Sequence, residues 1–129
     1  MRIGVLEDDP AICNILQEFL SLNGHEVTIY DHGVDLLAEV MGEEITGLVS
    51  PFDILIIDLL LPSDTTGLQV IQQVRMFRPH VPIVVISAAS LQDLKDIQLR
   101  YSGVEALHKP FKIRDVLAAV ARASSVLYN

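Results

Sequence analysis

Four places in the chain carry side chains suited to charge chemistry, three directly after short apolar runs and the fourth after a mixed one. Glu7, Asp8 and Asp9 come after Ile3-Gly4-Val5-Leu6, and Asp58 comes after Ile54-Leu55-Ile56-Ile57. Ser87 and Ala88 follow Ile83-Val84-Val85-Ile86, and Lys109-Pro110 follows Glu105-Ala106-Leu107-His108. Carboxylates brought to one place repel one another and resist ionisation unless a positive charge compensates them. A hard divalent cation answers that need, and Mg²⁺ suits a site with few carboxylates and positions left for water or phosphate oxygen. Lys109 adds a compact positive charge for a phosphoryl oxygen, and the Ser87 hydroxyl adds a hydrogen-bond donor. An Asp beside a metal, a Lys and a hydroxyl is the donor set of an aspartyl-phosphate site.

That chemistry requires the four places to meet, so the elements carrying them matter. The expected strands are Arg2–Leu6, Glu26–Tyr30, Asp53–Ile57, Ile83–Ile86 and Glu105–His108. Uninterrupted runs such as Ile54–Ile57 suit central strands of a parallel sheet covered on both faces. Helical spacing fills the intervals. Asp9 and Pro10 read as N-cap and first helical residue of a helix with Ile12, Leu16, Phe19 and Leu20 inward, ended at Gly24. Val34, Leu37, Val40 and Met41 are expected to face inward on the second helix, and Leu68, Ile71 and Val74 on the third. Ser90 and Asp93 have capping-box spacing ahead of Leu94 and Ile97, and Ile113, Val116, Leu117 and Val120 mark one face of the last helix. Five βα repeats in 129 residues predict one doubly wound α/β domain over residues 1–129. In such sheets ligands bind beyond the carboxyl ends of the strands, where all four places fall. Gly42 to Pro51 is the one generous connection.

Composition narrows the function. Half the residues are apolar, yet no run approaches the roughly 20 needed to cross a bilayer. The N-terminus leaves no room for a signal peptide's apolar core, and the single Cys13 excludes an intrachain disulfide, so a cytoplasmic protein is expected. A net charge of −8 opposes direct nucleic-acid binding and favours proteins and cations as partners. Cys13 reads as a small residue on a helix, and Asp9 as a cap rather than a ligand. His25, His32, His80 and His108 lack metal-ligand spacing.

Singly these motifs are ordinary. Together, Ile3–Pro10, Phe52–Pro62, Gly67-Leu68, Pro82–Ala88 and His108–Phe111 resemble the response-regulator receiver family over essentially the whole chain. The resemblance implies a flavodoxin-like fold with five parallel strands in the order 2-1-3-4-5. It implies that Asp58 accepts a phosphoryl group from a sensor histidine kinase or a histidine phosphotransfer protein. Asp8 and Asp58 would ligate Mg²⁺ with the Leu60 backbone carbonyl, and Glu7 would act mainly through water. Lys109, ahead of a cis Pro110, would hold the phosphoryl group, with Ser87 as the switch hydroxyl and Ala88 leaving it room. Such a domain catalyses its own phosphorylation and dephosphorylation but serves as a signalling switch. It acts through the face of the fourth helix, fifth strand and fifth helix, where the family also allows a homodimer, and signals to an output domain or downstream protein. The alternative is a pseudo-receiver, never phosphorylated, acting as a protein-interaction module.

Several positions depart from the family pattern. The Pro62–Gly67 loop is one residue longer than usual, and Ala106 stands where a switch aromatic is expected. Leu60 and Ala89, which flank the path of the hydrolytic water, are apolar and unable to orient it. Rival folds lack their own signatures. A dehalogenase-type phosphatase needs a second Asp where Leu60 stands, the Glu7-Asp8-Asp9 turn would repel a flavin phosphate, and no glycine-rich nucleotide loop is present. The sequence leaves open a stand-alone receiver or a piece of a longer regulator or hybrid kinase.

Overall fold

A computed structural model gives the fold and describes residues 1–42, 51–61 and 65–127. The chain alternates β1 (Arg2–Leu6), α1 (Pro10–Leu22), β2 (Glu26–Tyr30), α2 (Gly33–Met41), β3 (Ile54–Asp58), α3 (Gly67–Phe77), β4 (Ile83–Ser87), α4 (Leu91–Arg100), β5 (Val104–His108) and α5 (Ile113–Leu127). All strands are parallel, in the order β2-β1-β3-β4-β5. This is the expected doubly wound architecture. Parts of the two connections singled out from the sequence, residues 43–50 and 62–64, lie outside the described residues, as do residues 128–129.

Strand periodicity splits the core into two layers. Ile3, Val5, Ile54, Ile56, Val84 and Ile86 point to one face, where Leu16 and Leu20 of α1 meet Val116, Ala119 and Val120 of α5. The alternate residues Leu6, Leu55, Ile57, Ile83 and Val85 point to the other face and pack against α2, α3 and α4. The stretches Ile3–Leu6, Ile54–Ile57 and Ile83–Ile86 carry no polar side chain because both faces of these strands are covered. Fully burying one such Leu or Ile side chain stabilises the fold by about 1.5–3 kcal/mol.

The helix boundaries follow from local chemistry. Asp9 caps α1 by accepting from the Ala11 N–H, with Pro10 in the first turn. At the other end Gly24, at φ +87°, donates to the Ser21 carbonyl while His25 donates to that of Leu20. That is a Schellman closure, whose left-handed residue favours glycine. Ser90 accepts from the Asp93 N–H to start α4. Thr66 and Gln69 form a reciprocal capping box on α3, which the sequence reading passed over although Thr-x-x-Gln was there to be seen.

Two inward assignments are corrected. Phe19 and Val34 were expected in the core and are exposed, while Leu36 takes the buried place on α2. Both helices carry more apolar residues than one face holds, so periodicity alone does not choose the stripe. The register at the carboxyl edge is also slightly different. Asp58 is the last residue of β3, paired with Ile86, and not the first residue beyond the strand.

Candidate functional site

The site forms where β1, β3, β4 and β5 end. Glu7 follows β1 and is fully buried, its backbone N–H donating to the Tyr30 carbonyl of β2. Asp58 ends β3 and is 2% exposed. Glu7, Asp8 and Asp58 each offer a carboxylate oxygen, and these oxygens lie within 4.8 Å of one another. Two of the three acids are buried and Asp8 is exposed, so the cluster opens to solvent on one side.

Lys109 closes the cluster from β5. Its Nζ donates to Asp58 Oδ2 at 2.9 Å and to Glu7 Oε1 at 3.3 Å, and lies 3.0 Å from Glu7 Oε2. Its backbone N–H donates to the Ser87 carbonyl at 2.7 Å, tying the residue to the end of β4. The Lys109–Pro110 peptide is cis. Ser87 is fully buried, and its Oγ accepts from the Ala89 N–H at 3.0 Å. The remaining oxygen of Asp58, Oδ1, accepts from the Leu60 N–H at 3.0 Å, which draws the Leu60 backbone to the acid while its side chain stays 58% exposed.

Charge and burial act against each other here. Burial is the strongest influence on the Glu7 carboxyl and raises its pKa above the ordinary range. The Asp9 N–H and the Lys109 ammonium oppose the rise, and the Asp58 charge adds to it. For Lys109, burial works to release the proton, but the hydrogen bonds and charges of Asp58 and Glu7 prevail and raise its pKa. The site is therefore a group of two buried acids and one exposed acid, with one lysine held by the buried pair.

A hard divalent cation fits this donor set. All three side chains present oxygen, and Glu7 Oε2 is buried without a hydrogen-bond partner among the described residues, although it lies in ion-pair range of Lys109. A buried carboxylate oxygen held by an ion pair alone keeps a lone pair that a hard cation can use. Gly67 has a less visible part in the site. A side chain there would collide with the carbonyl oxygen of Asp58 and come within 2.6 Å of Leu59 Cα, so only glycine lets α3 begin directly beneath the Asp58 backbone.

Glu7, Asp8, Asp58 and Lys109 are thus brought together, with Ser87 and Ala88 at the next strand end. Ala106 sits lower on β5 and packs against the α2–α3–α4 layer, in company with Ala89, Ile97 and Tyr101. The Lys109–Glu7 pairing was not anticipated. Its partners stand 102 positions apart, and only the strand order reveals that the ends of β1 and β5 converge on Asp58.

Residues 3–121 match the model of the response regulator receiver domain. The chain belongs to that family, a receiver domain of two-component signalling, and its Glu7/Asp8/Asp58 pocket is consistent with a phosphoacceptor site. It is 32% identical over 123 residues to the response regulator MprA of Mycobacterium avium, covering 92% of this chain and 48% of that protein. It is 30% identical over 117 residues to a probable transcriptional regulatory protein of Picosynechococcus, covering 91% and 46%. The chain thus spans about half the length of the curated relatives it matches. A structure of the response regulator TrrA from Thermotoga maritima in complex with Mg²⁺–BeF shares the fold at a TM-score of 0.76. It is 24% identical and covers 95% of this chain and 97% of that one. Receiver domains bind Mg²⁺ and imply a histidine kinase partner. Among the described residues no helix is long and apolar enough to cross a membrane.

Proposed function

We propose that this chain is a phosphorylated switch in which Asp58 takes a phosphoryl group from a phosphohistidine on a sensor kinase or histidine phosphotransfer protein. The observation that carries this reading is the convergence of three carboxylates and one lysine at the Asp58 strand end. An Asp58 oxygen attacks phosphorus in line, the phosphorus–oxygen bond forming as the phosphorus–nitrogen bond to the histidine breaks. Glu7, Asp8, Asp58 and the Leu60 carbonyl would hold Mg²⁺, which supplies neutralisation of the phosphoryl oxygens. Lys109 pairs with one of those oxygens, and the Ser87 hydroxyl turns from its local bond to donate to another. Conformers with Ser87 and Ala88 closed over the new dianion gain population, shifting the surface of α4, β5 and α5 toward an output domain or downstream protein.

Intact mass after incubation with acetyl phosphate and Mg²⁺, run beside Asp58→Asn, tests this reading. A single phosphoryl adduct is expected that requires both Mg²⁺ and Asp58. No adduct from folded protein, with acetyl phosphate and with a cognate phosphohistidine donor alike, leaves a protein-interaction module as the function.

A further inference from the structure

At the edge of the sheet opposite Asp58, a cavity of about 510 Å³ lies between the starts of β4 and β5, the end of α3 and the flank of α5. Pro82, Ile83 and Val104 give it an apolar wall, and Arg75, Glu105 and Arg122 supply its formal charges, with the His80 ring beside them. Glu105 and Arg122 neutralise each other. Arg122 Nη2 donates to Glu105 Oε2 at 2.7 Å and Nε donates to Oε1 at 2.9 Å, while Nη1 has no partner among the described residues.

Arg75 is held differently. Its guanidinium donates to the carbonyls of Val81 at 2.7 Å, Ser102 at 3.1 Å, Gly103 at 3.3 Å and Arg78 at 3.4 Å. These four bonds leave one guanidinium N–H unspent. No carboxylate stands in ion-pair range of Arg75 among the described residues. Carbonyl oxygens satisfy its donors but bring no opposite charge, so a half-buried cation is left uncompensated. Burial accordingly pulls its pKa down, with no acid opposing it. In a chain of net charge −8, the formal charges of this one cavity sum to a positive value.

We propose that the cavity binds a small organic monocarboxylate, its carboxylate taken by Arg75 and Arg122 and its apolar body seated on Pro82, Ile83 and Val104. One uncompensated positive charge calls for one negative charge, and guanidinium groups suit a planar carboxylate. The volume is that of a small-molecule site, and the apolar wall favours a hydrocarbon body over a bare inorganic ion. The site owes nothing to the receiver reading, and a failure to phosphorylate Asp58 leaves it standing.

Amide spectra of the whole chain, recorded at constant ionic strength during titration with benzoate, isovalerate and the neutral benzamide, test the proposal. Saturable shifts at Ser102, Gly103 and Glu105 are expected with at least one of the two acids and not with benzamide. Two variants of the exposed Glu105–Arg122 pair then read the charge balance. Glu105→Gln frees Arg122 and is expected to tighten binding roughly threefold or more, whereas Arg122→Gln leaves Glu105 unpaired and is expected to weaken it by as much. The proposal is overturned by no saturable shift from either acid at tens of millimolar, or by equal binding of benzamide. It is likewise overturned by variants that do not move the affinity in these opposite directions.

Discussion

At the residue scale, the lip of the site governs how long a phosphoryl group would last. Leu60 and Ala89 border one groove with Leu59, Leu68 and Ile97, whose polar rim is Thr66, Asp93, Asp96 and Arg100. Neither of these two side chains offers a hydroxyl, amide or carboxylate to orient an attacking water, so positions 60 and 89 supply no general-base help. On the proposed reading, phospho-Asp58 decays slowly, and Leu60→Asn shortens its lifetime several-fold in a mass or radiolabel time course. A phosphorylated form that disappears within seconds, unchanged by Leu60→Asn, would sink the idea. The acids were legible in the sequence because each ends an apolar run. The pairing of Lys109 with Glu7 was not, because charge partners are chosen by sheet order and burial, and neither is written locally. Resemblance placed Lys109 on a phosphoryl oxygen; its resting partners emerged only with the fold.

At the scale of elements, two contacts fasten α3, one beside the site and one at the opposite edge of the sheet. Gly67→Ala forces a methyl against the Asp58 carbonyl, at a junction of backbone with backbone that has no side chain to yield. A loss of about 1–3 kcal/mol in urea denaturation is expected. Arg75 of α3 is the second. Its guanidinium donates to the carbonyls of Arg78, Val81, Ser102 and Gly103, joining the end of α3 to the starts of β4 and β5. Arg75→Met strands these acceptors and is expected to cost about 2–3 kcal/mol in the same measurement. Strands and helix starts were easy to place from β-branched runs and from Asp9, Pro10 and Ser90. Facing was harder for α2, where Val34, Leu36, Leu37, Val40 and Met41 offer competing stripes and only packing on the sheet selects one. Arg75 carried no local signal, since its acceptors are backbone carbonyls and those of Ser102 and Gly103 are brought near only by tertiary structure.

Across the whole molecule, the five helices are unequally attached. Among the described residues α4 buries only Leu94, and its Leu91 and Leu99 stand in solvent, while α1, α2 and α3 each bury two or more side chains. Elements with few buried contacts open at lower free energy, so α4 amides are expected to exchange with deuterium faster than those of α3. The same helix lies beside Ala106, whose small side chain is not a switch aromatic. On the proposed reading, beryllofluoride with Mg²⁺ therefore alters exchange most in Ala88–Arg100. A response centred on β5 instead would speak against α4 as the moving part. Cation binding to the folded state alone also stabilises the domain, by about 2.7 kcal/mol at a hundred times its dissociation constant. A melting temperature that rises with Mg²⁺ in wild type, and less so in Asp8→Asn, checks that linkage. The 102-residue separation of Glu7 and Lys109 has a consequence during synthesis. A chain still emerging from the ribosome exposes all three acids long before it makes their lysine, which follows the last of the five strands. Assembly of the acid–lysine cluster is thus deferred until the chain as far as Lys109 has left the exit tunnel, and a shorter nascent domain has the acids without their counter-charge.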